Sequence, residues 1–388
     1  MAKVKMRFWG EQGFFDLFGS DYVLAENSKT KLVFEMTDGG GEVTRIVAVG
    51  EGFVVKDGML TKGSITRVQL QNDEQKSYVD MSALDVGASQ FHSMLADGGA
   101  RGLMELLFSG HDKISSSAFS TQFFSGSGND TVRFTGQGYA SFIDGKGNDT
   151  YIGSALNPDI ENTLSYAEAD VDQTGIKADF KKGVIVDPWG TKDTVKNINA
   201  IVGTMHDDVV KSSATDAYMK FTGQDGADTF VGNSKFDTID YRGEVGLGGT
   251  PGVTVNLAEG WATDSFGKTD TLSGIERVLA SVGNDTIIGS DRKEQIEGWT
   301  GDDTMTGGAA ADIFRFRDDW GVDTITDFEV GVDKIRMNEV SDLFDGFDGL
   351  SIVQDGANTV ITLVDDDTYS ITLLDIDASS LSESDFIV

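Results

Sequence analysis

Between Gly289 and Phe314 the chain repeats itself every nine residues. Glycines fall at Gly289, Gly298 and Gly307, and acids at Asp285, Glu294, Asp303 and Asp312. Apolar residues fall at Ile287, Ile296, Met305 and Phe314. A fixed period with one glycine turn, one carboxylate and one buried side chain predicts a parallel β-roll. Each nine-residue stretch is then half a coil, six residues of turn and three of strand. Two halves complete the coil, so equivalent atoms recur every 18 residues, one strand spacing (~4.8 Å) apart.

The template reads GGxGxDxUx, with U a large apolar residue. SGSGNDTVR (125–133) and DGKGNDTYI (144–152) are good copies, and GHDKI (110–114) is a partial one. GQDGADTFV (223–231) and GNSKFDTID (232–240) continue the series. Glycine gives the turn its positive φ angles and lets carbonyls face inward. The acid at the sixth position points into the groove between neighbouring turns. Calcium takes 6–8 oxygens at ~2.3–2.6 Å, and two carboxylates one coil apart plus turn carbonyls supply them. The candidate ligands are Asp112, Asp130, Asp149, Asp208, Asp228, Asp237, Asp285, Glu294, Asp303 and Asp312. The turn glycines beside them are Gly126, Gly128, Gly145, Gly147, Gly226, Gly283 and Gly301.

The spacing supports several Ca2+ ions. Asp112 to Asp130, Asp285 to Asp303 and Glu294 to Asp312 are each 18 apart; Asp130 to Asp149 is 19 and Asp208 to Asp228 is 20, which call for bulges. Halfway between the early acids stand Thr121, Ala140 and Ala217. The early array should therefore carry acids on one edge only, and the block 280–315 on both. Stacked carboxylates without an ion repel by about 3 kcal/mol per pair at ~5–6 Å and an effective dielectric of ~20. Several pairs exceed the stability margin of a domain, so the array should fold only when calcium is supplied. A lone Asp-Gly turn is an ordinary turn; a run in register is not.

Texture divides the chain into residues 1–105, 106–316 and 317–388. The first part alternates apolar and polar residues at Val4–Phe8, Lys31–Met36, Thr44–Val49 and Ser64–Leu70, which predicts strands. Ala88–Phe108 has helical spacing interrupted by glycines, which predicts two short helices. A longer repeat overlies the array. Gly183, Asp187, Gly190, Asp193, Thr194, Ile198 and Asp208 recur as Gly260, Asp264, Gly267, Asp270, Thr271, Ile275 and Asp285. GIKADF (175–180) matches GVTVNL (252–257), so a long coil is duplicated. The expected fold is all-β: a small, mainly-β N-terminal domain, the roll, and a β-rich C-terminal cap.

A net charge of −33 argues against nucleic acid or an anionic membrane as partner. The chain has no cysteine, which excludes disulfides and zinc-thiolate sites. The N-terminus shows no continuous apolar h-region of a Sec signal, and no ~18-residue apolar run is present to span a bilayer.

These repeats resemble the RTX family of secreted bacterial calcium-binding proteins, over residues 106–388. GVDTITDFEVGVDKI and the terminal DFIV look like the C-terminal module of its serralysin-type branch. The resemblance implies an extracellular protein exported by the type I secretion apparatus, passing unfolded from low to high calcium, with its address at the C-terminus. It also implies that DFIV carries the address; deleting Asp385–Val388 should cut export and leave calcium-driven folding nearly intact, and deleting 317–388 should harm both. Departures stand at Ala140, Ala217, Glu294 and His206.

The serralysin signature HExxH is absent; the histidines are His92, His111 and His206, none close to another in sequence. No GxSxG elbow occurs, and GEVGLGG (243–249) lacks the P-loop lysine. The balance favours a non-enzymatic surface, matrix or adhesion component whose N-terminal domain takes a glycan or protein ligand. The alternative is an enzyme with its site in residues 1–105 or in the long coils.

Overall fold

A computed structural model describes residues 3–6, 23–37, 43–56, 59–71, 77–87, 110–116, 121–156, 160–167, 174–213, 218–233, 236–340, 346–364 and 366–388. Two compact units divide the chain: residues 1–169 with 183–200, and residues 170–182 with 201–388. Regular structure among the described residues is strand and short 3-10 turn. The helices expected over Ala88–Phe108 lie outside the described residues, as do His92 and Ala217.

The first unit opens with an antiparallel meander. Val23–Asn27, Lys31–Thr37, Val43–Lys56, Met59–Gln71 and Ser77–Gly87 pair in succession. Leu32, Phe34, Ile46, Ala48, Ile65 and Val68 are buried in it. The two central strands are far longer than the alternation alone suggested. They run through Gly50, Gly52 and Gly63 by shifting register, and a Cβ on Gly50 would lie 1.8 Å from the Ser64 carbonyl oxygen. Lys3–Met6 pairs antiparallel with Ser77–Gly87 and parallel with Lys113–Ser116, joining meander to coil.

From there the strands stack in parallel as two facing sheets, the architecture of a β-roll. In the first unit Lys113–Ser116, Thr131–Phe134, Thr150–Ile152 and Lys192–Lys196 form one sheet. Thr121–Phe124, Ala140–Ile143 and Asn162–Ser165 form the other. The apolar position of each half-coil fills the space between them: Ile114, Val132, Tyr151 and Val195 from one side, Phe123, Phe142 and Leu164 from the other. Phe123 and Phe142 stack at 5.0 Å, one coil apart.

The second unit repeats the plan. One run is Lys177–Asp179, Val209–Lys211, Thr229–Val231 and Thr269–Ser273. Another is Thr254–Asn256, Thr286–Ser290, Thr304–Gly308, Val322–Ile325 and Asp366–Leu373. The facing sheet holds Thr238–Asp240, Arg277–Leu279, Gln295–Glu297, Ile313–Arg317, Lys334–Glu339 and Phe386–Ile387. In the block 280–315 partners are 18 residues apart, as the period requires: Thr286 with Thr304, and Gln295 with Ile313.

The long repeat is visible as two matching hairpins. Val184–Val186 pairs with Lys192–Lys196, and Trp261–Thr263 with Thr269–Ser273. Gly183 and Gly260 have φ of 66° and 76°; Gly190 and Gly267 have 82° and 79°. Asp187 and Asp264 each hold their turn by accepting the amide four residues on, at 2.6 Å in both.

The terminal DFIV corrects an expectation. Asp385 accepts hydrogen bonds from the Gly331 amide (2.8 Å) and the Ser382 amide (2.9 Å) and is 1 % exposed. Phe386 is buried against Phe347, and Phe386–Ile387 is the last strand of its sheet. The segment is built into the fold through these contacts, which an address independent of the fold would not need.

Candidate metal centres

Each acid of the template does the same thing along one edge. Its Oδ1 accepts the backbone N–H of the equivalent residue one coil earlier. Asp130 accepts from Asp112 (2.6 Å), Asp149 from Asp130 (2.7 Å) and Asp193 from Asp149 (2.9 Å). In the second unit Asp208 accepts from Ile176, Asp228 from Asp208 and Asp270 from Asp228. A further series runs from Val253 through Asp285 and Asp303 to Asp323. The opposite edge has its own ladder: Asp237 accepts from Met219, Glu276 from Asp237, Asp312 from Glu294 and Asp333 from Asp312. In the first unit that edge carries Thr121, Ala140 and Asn162 in register, and Asn162 donates to Asn199 rather than to an acid. Met219, not an acid, heads the half-coil before Asp237.

The second carboxylate oxygen separates two kinds of turn, while in Asp149, Asp193 and Asp270 a tyrosine hydroxyl meets it instead. In one, the residue four before the acid donates its amide back to it. Thr204 donates to Asp208 (2.8 Å), Ser281 to Asp285 (2.7 Å), Asn233 to Asp237 (2.7 Å) and Ser290 to Glu294 (3.3 Å). The Thr204 and Ser281 hydroxyls add a further bond to the same acids. In the other kind the corresponding residue has positive φ, which turns its amide away. It is Gly126 (77°), Gln224 (74°), Trp299 (79°) or Gly308 (93°). There the Oδ2 atoms of Asp130, Asp228, Asp303 and Asp312 are buried and have no hydrogen-bond partner among the described residues. These four acids are 1–2 % exposed.

Burial, the largest influence, pushes these carboxyls up. Asp130 and Asp303 rise to about 8 and Asp228 to about 10, with the neighbouring coils' acids adding to the rise. The open Asp312 rises to about 7, and the self-capped Asp208 and Asp285 to about 7 and about 6, where the amides and hydroxyls of Thr204 and Ser281 favour the charged forms.

The glycines serve two purposes, which corrects the uniform reading of the turns. Gly126, Gly128, Gly147, Gly226 and Gly301 do have positive φ. Gly145 and Gly283 do not; they are needed because the adjoining coil presses on them. A Cβ on Gly145 would lie 1.5 Å from the Gly126 oxygen, and one on Gly283 2.4 Å from the Gly252 nitrogen. The first position of the template is also a matter of space: a Cβ on Gly298 would sit 1.9 Å from Asp303 Oδ2. At the expected glycine position His206 sits without interrupting the ladder, since Asp208 still accepts from Ile176.

Sequence spacing missed Asp193, Asp270, Asp323, Glu276 and Asp333. The first three share the signal Asp-Thr-apolar with the template copies, in KDTVK, TDTLS and VDTI. The hairpins lengthen the interval to 44 residues between Asp149 and Asp193 and 42 between Asp228 and Asp270, which hides them from a search at 18.

The donors brought together are carboxylate oxygens, the hard ligands that suit calcium. No helix among the described residues is long and apolar enough to cross a membrane.

Residues 254–388 match the family model described as Peptidase M10 serralysin C terminal. A search of curated proteins finds no match. Among solved structures, the extracellular lipase LipA from Serratia marcescens aligns at 15 % identity with a TM-score of 0.22. The alignment covers 72 % of this chain and 38 % of the lipase, so the chain spans well under half of that protein's length.

Proposed function

We propose that this chain is a calcium-binding repeat protein of the RTX type, secreted by the type I route, whose roll folds when it meets calcium outside the cell. The observation that carries the reading is the set of four turns whose acids keep a buried, unpartnered Oδ2: Asp130, Asp228, Asp303 and Asp312. An amide already occupies the first oxygen of each. A cation shared with the carbonyls of the neighbouring turn is the partner that satisfies the second. The self-capped acids Asp208, Asp237 and Asp285 have their hydrogen bonds without an ion and serve the ladder first, and Glu294 is held by Ser290 of its own turn. The match of residues 254–388 to the serralysin C-terminal model supports the same reading. In the second unit the open cleft of about 350 Å³ beside Trp299 is lined by groups that engage one another. Arg242 pairs with Asp240 at 2.7 Å and lies 4.8 Å above the Trp299 ring. That arrangement supports a structural role there, and the protein acts as a surface, matrix or adhesion component through its N-terminal sheet.

The test is circular dichroism of the purified chain. In chelator at neutral pH the spectrum should be coil-like and should turn β-rich with calcium, and far less with magnesium. A β-rich spectrum that ignores chelator sinks the proposal.

A further inference from the structure

In the first unit a second group of acids converges on the core side of the edge ladder. One oxygen each of Asp144, Asp149 and Asp193 lies within 4.8 Å of the others. The three residues are 7, 1 and 0 % exposed. Asp149 and Asp193 belong to the ladder and spend Oδ1 on backbone amides. Asp144 belongs to neither ladder. It stands five residues before Asp149, at the head of the turn, where other copies have Ser125, Gly223, Gly298 or Gly307.

Two core tyrosines face this group. The Tyr151 hydroxyl reaches Asp144 Oδ1, Asp149 Oδ2 (3.3 Å) and Ser125 Oγ (2.8 Å). The Tyr166 hydroxyl donates to Asp193 Oδ2 at 2.9 Å. A phenol has one proton, so Tyr151 serves one of its three neighbours at a time. Asp144 Oδ2 is buried and has no hydrogen-bond partner among the described residues. Three carboxylates therefore share two phenolic protons in a buried pocket of oxygens, where like charges are least screened.

We propose that Asp144 joins the ladder acids Asp149 and Asp193 in holding one calcium ion in the first unit's roll, at a turn whose ion is set by Asp144. The reading rests on the chain being a calcium-binding roll and goes beyond it, because the deciding ligand is not a template acid. The site also has a task. Asp149 and Asp193 bound the 44-residue excursion between consecutive coils of this sheet. Closing a long loop costs more entropy than closing a short one, and an ion clamping its two ends offsets that cost. The duplicated coil is an internal contrast. It repeats Tyr166–Asp193 as Tyr241–Asp270 (2.9 Å), but the turn before it opens with Gly223 in place of Asp144.

The experiment counts ions. The full-length wild type and Asp144→Asn are saturated with calcium, freed of excess and analysed by native mass spectrometry. Asp144→Asn should hold one calcium fewer per chain and keep the rest. An unchanged count overturns the inference and assigns the cluster to shared protons. Should Asp144→Asn fail to fold, anomalous scattering from wild-type crystals grown in calcium decides. A peak bound by the three carboxylates supports the site; peaks at the edge turns with none here refute it alone. Wild type that binds no calcium at all refutes the edge reading as well.

Discussion

Asp303→Asn should have opposite effects with and without calcium. Asn keeps the oxygen that accepts the Asp285 amide (2.8 Å) but removes the charge that burial and Asp285 disfavour. The Asp303 carboxyl is raised from 3.8 to about 8 in the fold. Between those values the folded chain holds a proton that the unfolded chain releases. The stability linked to Asp303 is therefore complete below about pH 4 and is lost as pH rises through about 8. The loss runs at about 1.4 kcal/mol per pH unit and reaches about 4 kcal/mol at pH 7. Asp285, raised to about 6, follows the same sign over a shorter window, about 3 kcal/mol at most. The two share a ladder, so their costs do not add in full. Urea melts in chelator at pH 4.5, 5 and 5.5, where protonated acids let the roll stand without calcium, should show the variant gaining on wild type by about 0.7 kcal/mol with each half unit. In saturating calcium at pH 7 the order should reverse, because wild type gains the ion and the variant does not. A gap that stays constant with pH in chelator would show that Asp303 is not held in a desolvated, uncompensated site.

Gly298→Ala should weaken calcium binding and cost about 1–3 kcal/mol, since its Cβ would lie 1.9 Å from Asp303 Oδ2. Gly190→Ala meets nothing within 4 Å and strains only a turn at φ 82°, so calcium titrations should barely move; equal effects of the two would refute the contact argument. Asp385→Ala should destabilise the calcium-loaded chain by about 1–3 kcal/mol by orphaning the Gly331 and Ser382 amides. Its carboxyl lies below the usual range despite burial, because those amides and Lys334 favour the charge. That contribution is present above the ordinary aspartate range and disappears as pH falls through the folded value, which thermal melts in calcium at falling pH will read.

The β-roll, its 18-residue register and the duplicated coil were legible because each depends on residues that recur at fixed intervals. Ala140 and Thr121 were correctly readable as places without an acid for the same reason. Two properties were not legible from spacing. The hairpins displaced Asp193 and Asp270 from the interval, although the Asp-Thr-apolar triplet marked them. The division of the turns into self-capped and open was written in the residue four before each acid, Ser281 or Thr204 against Gly126 or Gly308. Its meaning depends on whether that amide points back at the carboxylate, and Gln224 and Trp299 adopt the open geometry without being glycine. Likewise Gly145 and Gly298 look like ordinary turn glycines until the neighbouring coil, or the acid itself, is seen to fill the space of a side chain.

The ladder has a direction, and that direction predicts an order of folding. Along each run the ladder acids satisfy an amide in the coil before them, Glu294 excepted, which accepts instead from Ser290 of its own turn, so most coils are completed by the one that follows. In the second unit the series ends in a segment with local contacts of its own. Leu350–Asp355, Asn358–Leu363 and Asp366–Leu373 pair as successive antiparallel strands. Asp385 then reaches back to the Gly331 amide, in the turn that holds Asp333 through the Glu329 amide. Antiparallel neighbours close short loops, whereas parallel coils pair strands a full turn apart, so the C-terminal strands meet the smaller entropic barrier. Once they stand, Asp323 and Asp333 are placed to receive the amides of Asp303 and Asp312, and growth proceeds toward the N-terminus of the unit. Pulsed hydrogen exchange after calcium addition should find amides of 350–373 protected before those of 254–316. Simultaneous protection, or protection spreading the other way, would show that the direction of the hydrogen bonds does not set the direction of assembly.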